Sequence, residues 1–289
     1  MRKKFFRLLK LLFLTIIILP ISSTFAETAT ISVNANPIIQ GDPLLIIVEN
    51  VGSIADIQKI FFDGKPLWFF THQGKPTALI GVDLNKKPSD YKISVKLENG
   101  KNFEKIITVK AREKLEEPLG IPEKLGGNTP ASQKTLISSL ASENDVINNL
   151  RSISKKLWPE EFKYPLINPV VTDSYGYTRI TGNYSVAHKG VDFRAKESTP
   201  VKAMGRGIVR LVRTFRNYGK TVVIDHGLGL MTFYMHLSKI YVNEGELVSQ
   251  GQLIALSGQT GYAETPHLHL SVKIGGISID PVKFLGLFK

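Results

Sequence analysis

Five of the six histidines of this 289-residue chain, His188, His226, His236, His267 and His269, fall between residues 163 and 289. Imidazole can ligate a metal or move a proton near neutral pH. The chain has no cysteine, so a zinc site must use His nitrogen and carboxylate oxygen. His267-Leu268-His269 lies in an alternating stretch, and residues i and i+2 of a strand share a face about 6.5–7 Å apart. That spacing suits one ligand and one neighbour of the metal. His188 and Asp192 would lie about 13 Å apart in a straight strand, far beyond a shared metal with bonds near 2 Å. The chain must therefore bend between them, and Gly190 is the residue that permits a bend. Either pair alone is more often a structural feature than a site.

The ordered set is more specific: His188-x-x-x-Asp192, then Tyr234-Met235-His236-Leu237-Ser238, then His267-x-His269. In this order the sequence resembles the lysostaphin-type (LytM-like) zinc endopeptidases that cut peptidoglycan cross-bridges. The similarity runs over about residues 163–285 and includes Gly219-Lys220-Thr221-Val222-Val223-Ile224-Asp225-His226-Gly227, Gly258-Gln259-Thr260-Gly261 and Pro266-His267-Leu268-His269. The resemblance implies His188, Asp192 and His269 as ligands of one Zn2+ ion, with His236 and His267 as the catalytic, non-ligating pair. Two imidazoles and one carboxylate leave the fourth position that hydrolytic zinc keeps open. A nearby imidazole can orient or deprotonate water, donate to a tetrahedral oxyanion and pass a proton to the departing amine. By the same resemblance Tyr184 is a candidate for the oxyanion hydroxyl, and Asn217 for lining the groove. His226, in the His-Gly dipeptide of a turn, is assigned a structural role.

Other chemistries fit less well. Ser152-Ile153-Ser154-Lys155 matches Ser-x-x-Lys, but Lys-Thr-Gly is absent and Ser142-Glu143-Asn144 precedes it, against the order in penicillin-binding serine peptidases. The stretch Val242–Gly251 is similar to the turn of lipoyl and biotinyl carriers, yet no lysine stands at its tip. Relatives that have lost metal ligands serve as non-catalytic, wall-binding activators of other hydrolases. Here all five positions are filled, which favours catalysis.

The elements that must position these residues read as mostly β. Residues 27–112 alternate in short runs, among them Leu44–Val48 and Tyr91–Leu97, with a hairpin at Asn99-Gly100, and suggest an Ig-like β-sandwich. Trp68, Phe69 and Phe70 are expected in its core, and His72 carries no assigned role. Residues 113–162 form a linker broken by Pro and Gly. Within it Leu136, Leu140, Ile147, Leu150, Ile153 and Leu157 recur at helical spacing until Pro159. Residues 163–289 carry strand runs Gly207–Thr214, Thr221–Asp225, Met231–Leu237, Leu247–Leu256 and His267–Ile274. Their short connections imply a folded-over antiparallel sheet.

The charge tells the same story. The net +12 would ordinarily raise nucleic acid as a partner. Arg2, Lys3, Lys4, Arg7 and Lys10 precede an apolar run from Leu11 to Leu19 and the small residues Ser22 to Ala26, the order of a secretory signal peptide over residues 1–26. Residues 27–162 balance 17 basic against 17 acidic side chains, whereas 163–289 hold 15 against 8. An exported protein with its excess charge on the histidine-bearing half suits an anionic wall polymer rather than nucleic acid. Periplasm, cell wall or extracellular space is the expected location, and a regulatory wall or membrane partner is compatible with it. A further expectation is that the neutral β-domain and the helical linker lie over the groove and restrain it.

Overall fold

A computed structural model describes residues 28–158 and 161–288; the expected signal peptide lies outside them. The N-terminal strands are β1 (Thr30–Val33), β2 (Ile38–Ile39), β3 (Pro43–Glu49), β4 (Ile57–Phe62), β5 (Lys65–Pro66), β6 (Phe69–His72), β7 (Lys75–Gly81), β8 (Ser89–Leu97) and β9 (Asn102–Lys110). They form two sheets, ordered β1-β3-β7-β6 and β2-β9-β8-β4-β5. Leu44, Ile46 and Ile80 of the first sheet meet Ile60, Ile93, Val95 and Ile107 of the second in one buried cluster. The expected hairpin joins β8 and β9, and Gly100 supplies the positive φ of its turn.

Leu45 and Leu79 alternate to the other face of the first sheet and pack into the C-terminal core, together with Phe70. This explains why Leu44–Val48 reads as an unbroken apolar run: it is covered on both faces. Trp68 departs from expectation. It falls in the connection between β5 and β6 and is 61% exposed, whereas Phe70 is buried edge-on against Trp158 at 5.2 Å. Aromatic character alone did not reveal that the sheet leaves Trp68 outside.

The linker contains β10 (Glu116–Pro118) and one helix, α1 (Pro130–Asn148), opened by Thr129, whose side chain accepts from the Ser132 N–H, and by Pro130 in the first turn. The apolar periodicity predicted helix as far as Leu157, and the chain does not follow it. Beyond Asn149 it becomes an irregular strap. The Ile153 N–H donates to Asp225 Oδ2, its carbonyl accepts from the Leu228 N–H, and the Leu157 N–H donates to the His226 carbonyl. A neighbouring hairpin satisfies these backbone groups, so the strap needs no helix.

The C-terminal strands are β11 (Val171–Asp173), β12 (Thr178–Thr181), β13 (Tyr184–Ala187), β14 (Val191–Arg194), β15 (Pro200–Lys202), β16 (Gly207–Phe215), β17 (Gly219–Gly227) and β18 (Leu230–Leu237). They continue as β19 (Lys239–Ile240), β20 (Leu247–Val248), β21 (Leu253–Leu256), β22 (His267–Ile274) and β23 (Ile277–Ile279), before helix α2 (Pro281–Gly286). The main sheet is antiparallel, ordered β11-β14-β22-β18-β17-β16-β20, with β23 on β22. The predicted run Leu247–Leu256 is in fact two strands in different sheets, separated by a turn in which Gly251 has a φ of +79°. The small sheet β10-β12-β13 binds the linker to this half, with β10 parallel to β12.

Candidate metal centre

Strand β22 is central to the main sheet, and its period-two alternation turns His267 and His269 to one face. On one side Asp192 of β14 lies directly opposite His269; on the other, Met235 of β18 does. His188 sits in the bend just before β14, held by its N–H donating to the Tyr177 carbonyl. Gly190 was expected for its backbone freedom, but it is absent from the positive-φ residues. Its function is room: a Cβ there would stand 2.6 Å from the Leu270 carbonyl oxygen and 2.6 Å from His269 Cε1.

Three ligand-type atoms converge. His269 Nδ1 is 2.7 Å from Asp192 Oδ1, His188 Nε2 is 3.2 Å from the same oxygen, and the two ring nitrogens are 3.1 Å apart. Their outward partners fix the tautomers. His188 Nδ1 lies 2.9 Å from the Ser174 carbonyl, which can only accept, so Nδ1 carries the proton and Nε2 a lone pair. The Ser271 hydroxyl donates to the Lys189 carbonyl and therefore accepts from His269 Nε2 at 2.9 Å, leaving a lone pair on His269 Nδ1. Three acceptors thus point at one another in a buried site. A cation is the group that satisfies them together, and two nitrogens with one oxygen suit a tetrahedral metal with an open position. The ligand-type atoms of His188, Asp192 and His269 all lie within 4.8 Å of one another.

Supporting contacts surround the set. Arg179 Nη2 donates to Asp192 Oδ2 at 3.0 Å and to Asp173 Oδ2 at 2.7 Å. Burial pushes the Asp192 carboxyl up, but the adjoining His188 and His269 outweigh it and hold it well below the usual carboxylate range. Burial lowers His269 to about 4 against the opposing pull of Asp192. The Asp192 carboxylate is therefore ionised and the His269 ring neutral at pH 7, the states a metal requires of its ligands.

His236 and His267 stand beside the set with ring centroids 4.8 Å apart. His236 Nδ1 donates to the Thr260 carbonyl at 2.9 Å, and His267 Nδ1 to the Thr265 carbonyl at 2.8 Å. Both rings thus keep Nε2 as a free lone pair, and His267 Nε2 is 3.8 Å from Asp192 Oδ1. Burial first, then His267 and His269, lowers His236 to about 3. His236 holds a φ of +60°, an uncommon conformation for a non-glycine residue that persists only where its surroundings fix it.

A cavity of about 610 Å³ opens over His188, His236 and His269, and Arg179, Lys189 and Lys273 line it as well. Helix α1 roofs it with Leu136, Leu140, Asn144 and Ile147. A second recess of about 440 Å³ borders Asp192 and His267 and is walled by Glu117–Gly120 from the linker. Asn217 lines the larger cavity but is buried, its side-chain amide donating to Ser139 Oγ of α1 at 2.7 Å. Tyr184 pairs with Thr181 at the end of the β12–β13 hairpin and lines neither cavity. Tyr262, which sequence reasoning missed, lines both, and its hydroxyl donates to the Gly120 carbonyl. The signal was its place directly after Gly258–Gly261. Arg179 and Glu143 were also missed: Arg179 stands in no motif, and Glu143 was noticed only within the rejected Ser142-Glu143-Asn144 match. His226 is apart from the centre and fully buried, with Nδ1 on the Arg206 carbonyl and Nε2 on Thr232 Oγ1.

The antiparallel β fold thus brings two imidazoles and one carboxylate together beside two further imidazoles on a groove, a donor set suited to a hydrolytic metal centre. Residues 186–281 match the model of peptidase family M23. The peptidoglycan DD-endopeptidase ShyA of Vibrio cholerae is 45% identical over 96 residues, 33% of this chain and 22% of that protein. The DD-carboxypeptidase/endopeptidase Mpg of Neisseria meningitidis is 34% identical over 120 residues, 41% of this chain and 27% of that protein. The chain thus spans about a quarter of the length of such curated relatives. A crystal structure from Pseudomonas aeruginosa, provisionally assigned to peptidase M23, is similar over 88% of this chain and 97% of its own, at 26% identity and a TM-score of 0.64.

Proposed function

We propose that this protein is an exported, zinc-dependent endopeptidase that hydrolyses peptide cross-links of bacterial peptidoglycan. The observation that carries this reading is the convergence of His188 Nε2, Asp192 Oδ1 and His269 Nδ1 as three acceptors, beside two imidazoles with free Nε2 lone pairs. His188, Asp192 and His269 would hold the zinc, which supplies Lewis acidity and makes water nucleophilic at neutral pH.

The remaining chemistry belongs to the side chains. His236 and His267 each have Nδ1 tied to a carbonyl, so Nε2 is the atom that takes a proton from the attacking water. The protonated ring then donates to the oxyanion or to the departing amine. Arg179 keeps the Asp192 carboxylate oriented. The names of ShyA and Mpg point to a DD bond, so the D-Ala–diaminopimelate cross-link is the first substrate to test. The basic excess of residues 163–289 suits a polymer rich in carboxylates.

The test is digestion of purified sacculi by the zinc-loaded protein, with products resolved by mass spectrometry. Cross-linked muropeptides should fall to monomers, and phenanthroline should stop the reaction. Digestion that survives chelation would refute the mechanism. A protein that binds sacculi but cuts nothing would favour the non-catalytic activator.

A further inference from the structure

Helix α1 presents an apolar stripe to the C-terminal half, with Leu136 and Ile147 buried. Glu143 stands on the same stripe and is 7% exposed, where an apolar residue would be expected. Burying a carboxylate costs several kcal/mol unless its oxygens are hydrogen-bonded. Glu143 Oε1 accepts from the Asn217 N–H at 2.9 Å and Oε2 from the Tyr218 N–H at 3.2 Å. Two successive backbone N–H groups in the turn between β16 and β17 therefore grip one carboxylate, 74 and 75 residues away in sequence.

That turn belongs to the groove. Asn217 and Tyr218 line the same cavity as His188, His236 and His269. The Tyr218 carbonyl accepts from the His236 N–H at 3.0 Å, joining the turn to the proposed proton carrier. With Arg179 engaged by Asp192 and Asp173, the cavity still carries Lys189 and Lys273 against the single carboxylate Asp83, which favours an anion entering it. With α1 displaced, two parallel N–H donors would face the groove unpaired, and a carboxylate is the group whose two oxygens match them.

We propose that the Asn217 and Tyr218 N–H groups are a subsite for a free carboxylate of the peptide substrate, and that Glu143 fills it from within while α1 is docked. The inference rests on the endopeptidase reading for its substrate. It adds a specificity element and makes α1 an internal competitor of that substrate.

The experiment uses the zinc-loaded full chain, its Glu143→Ala variant and the near-isosteric Glu143→Gln variant. The probe is a D-Ala–diaminopimelate cross-linked peptide pair, prepared with its carboxylates free and again amidated. Amide hydrogen exchange at Asn217 and Tyr218 should be slow in the wild type and faster in both variants. The free acid should slow it again in Glu143→Ala, and the amidated peptide should not. The same variant should cleave the acid form with a kcat/KM about tenfold or more above that of the amide, the scale of lost charge-assisted hydrogen bonds. Exchange unaffected by either substitution would overturn the docking contact, and equal use of acid and amide would overturn the subsite. If neither peptide is cut but the acid alone restores protection, the subsite stands and the endopeptidase reading fails.

Discussion

Gly190 and the His269 ring are in such close contact that no other residue type fits at position 190 without moving a metal-set histidine. A Cβ would meet the ring on one side and the Leu270 carbonyl on the other, with Cε1 and the carbonyl oxygen each at 2.6 Å. Backbone atoms of a central strand do not yield, so the ring must. Gly190→Ala should leave the β signature of circular dichroism intact and weaken zinc binding by about 10–100-fold, as displacement of supporting groups does. Titration calorimetry with zinc checks it, and wild-type affinity would show that the ring relaxes freely.

The division between ligands and proton carriers is separable by measurement. His188→Ala or His269→Ala removes one of three converging atoms and should abolish stoichiometric zinc together with hydrolysis. His236→Ala should keep zinc while slowing turnover about 10²–10⁴-fold, the range of general acid–base contributions. Metal analysis of the purified variants decides between them. Loss of zinc in His236→Ala would make that residue a ligand.

Arg179 touches the metal set from behind. It donates to Asp173 and to Asp192 Oδ2 at once, leaving Asp192 Oδ1 to face His188 and His269. Arg179→Met should lower zinc affinity about 10–100-fold, with a smaller change in thermal midpoint. Unchanged affinity would mean that the Asp192 orientation is set by β14 alone.

His188, Asp192 and His269 were singled out by the resemblance that their order carries, and the fold brings their ligand-type atoms within reach of one another. Supporting groups were not. Ser174 acts through its carbonyl and Ser271 through a hydroxyl relay, and side-chain identity does not announce either role. The helix was legible as far as Ile147. Beyond it Ile153 and Leu157 kept the period by coincidence, while their hydrogen bonds went to the β17–β18 hairpin. Glu143 carried no assigned role in the sequence, and only the position of the β16–β17 turn shows what it meets. The two N-terminal sheets were visible as strands and turns, but Trp68 was not visible as an exposed ring.

His226 makes stability depend on pH away from the metal set. Burial lowers its pKa to about 4, against the ordinary 6.5. The unfolded chain therefore binds the proton first, and native stability falls as pH drops from about 6.5 toward 4. Each tenfold preference of the unfolded chain for the proton costs the fold about 1.4 kcal/mol, so the loss is on the order of a few kcal/mol. Urea denaturation between pH 7 and 4.5 should show this loss in the wild type and a shallower slope in His226→Gln. Parallel slopes would place the titration elsewhere.

Asp225 ties the strap after α1 to the main sheet, and its carboxylate leaves no place for an amide. Oδ1 accepts from Ser152 Oγ at 2.6 Å and the Gly227 N–H at 2.8 Å, while Oδ2 accepts from the Ile153 N–H at 3.0 Å and Arg210 Nε at 3.1 Å. Asp225→Asn must set an NH2 group against at least one pair of donors, since an amide offers a single acceptor oxygen. The residue is fully buried, so the unpaired donors cost about 1–3 kcal/mol. Part of that cost can be relieved by releasing the strap, whose Arg151 and Lys155 are exposed. Trypsin should therefore cut Asp225→Asn between residues 151 and 156 under conditions that leave the wild type whole. Because the strap follows α1 directly, its release should also speed amide exchange at Asn217 and Tyr218. Trypsin resistance equal to the wild type would mean that the hairpin's backbone N–H and carbonyl groups alone hold the strap.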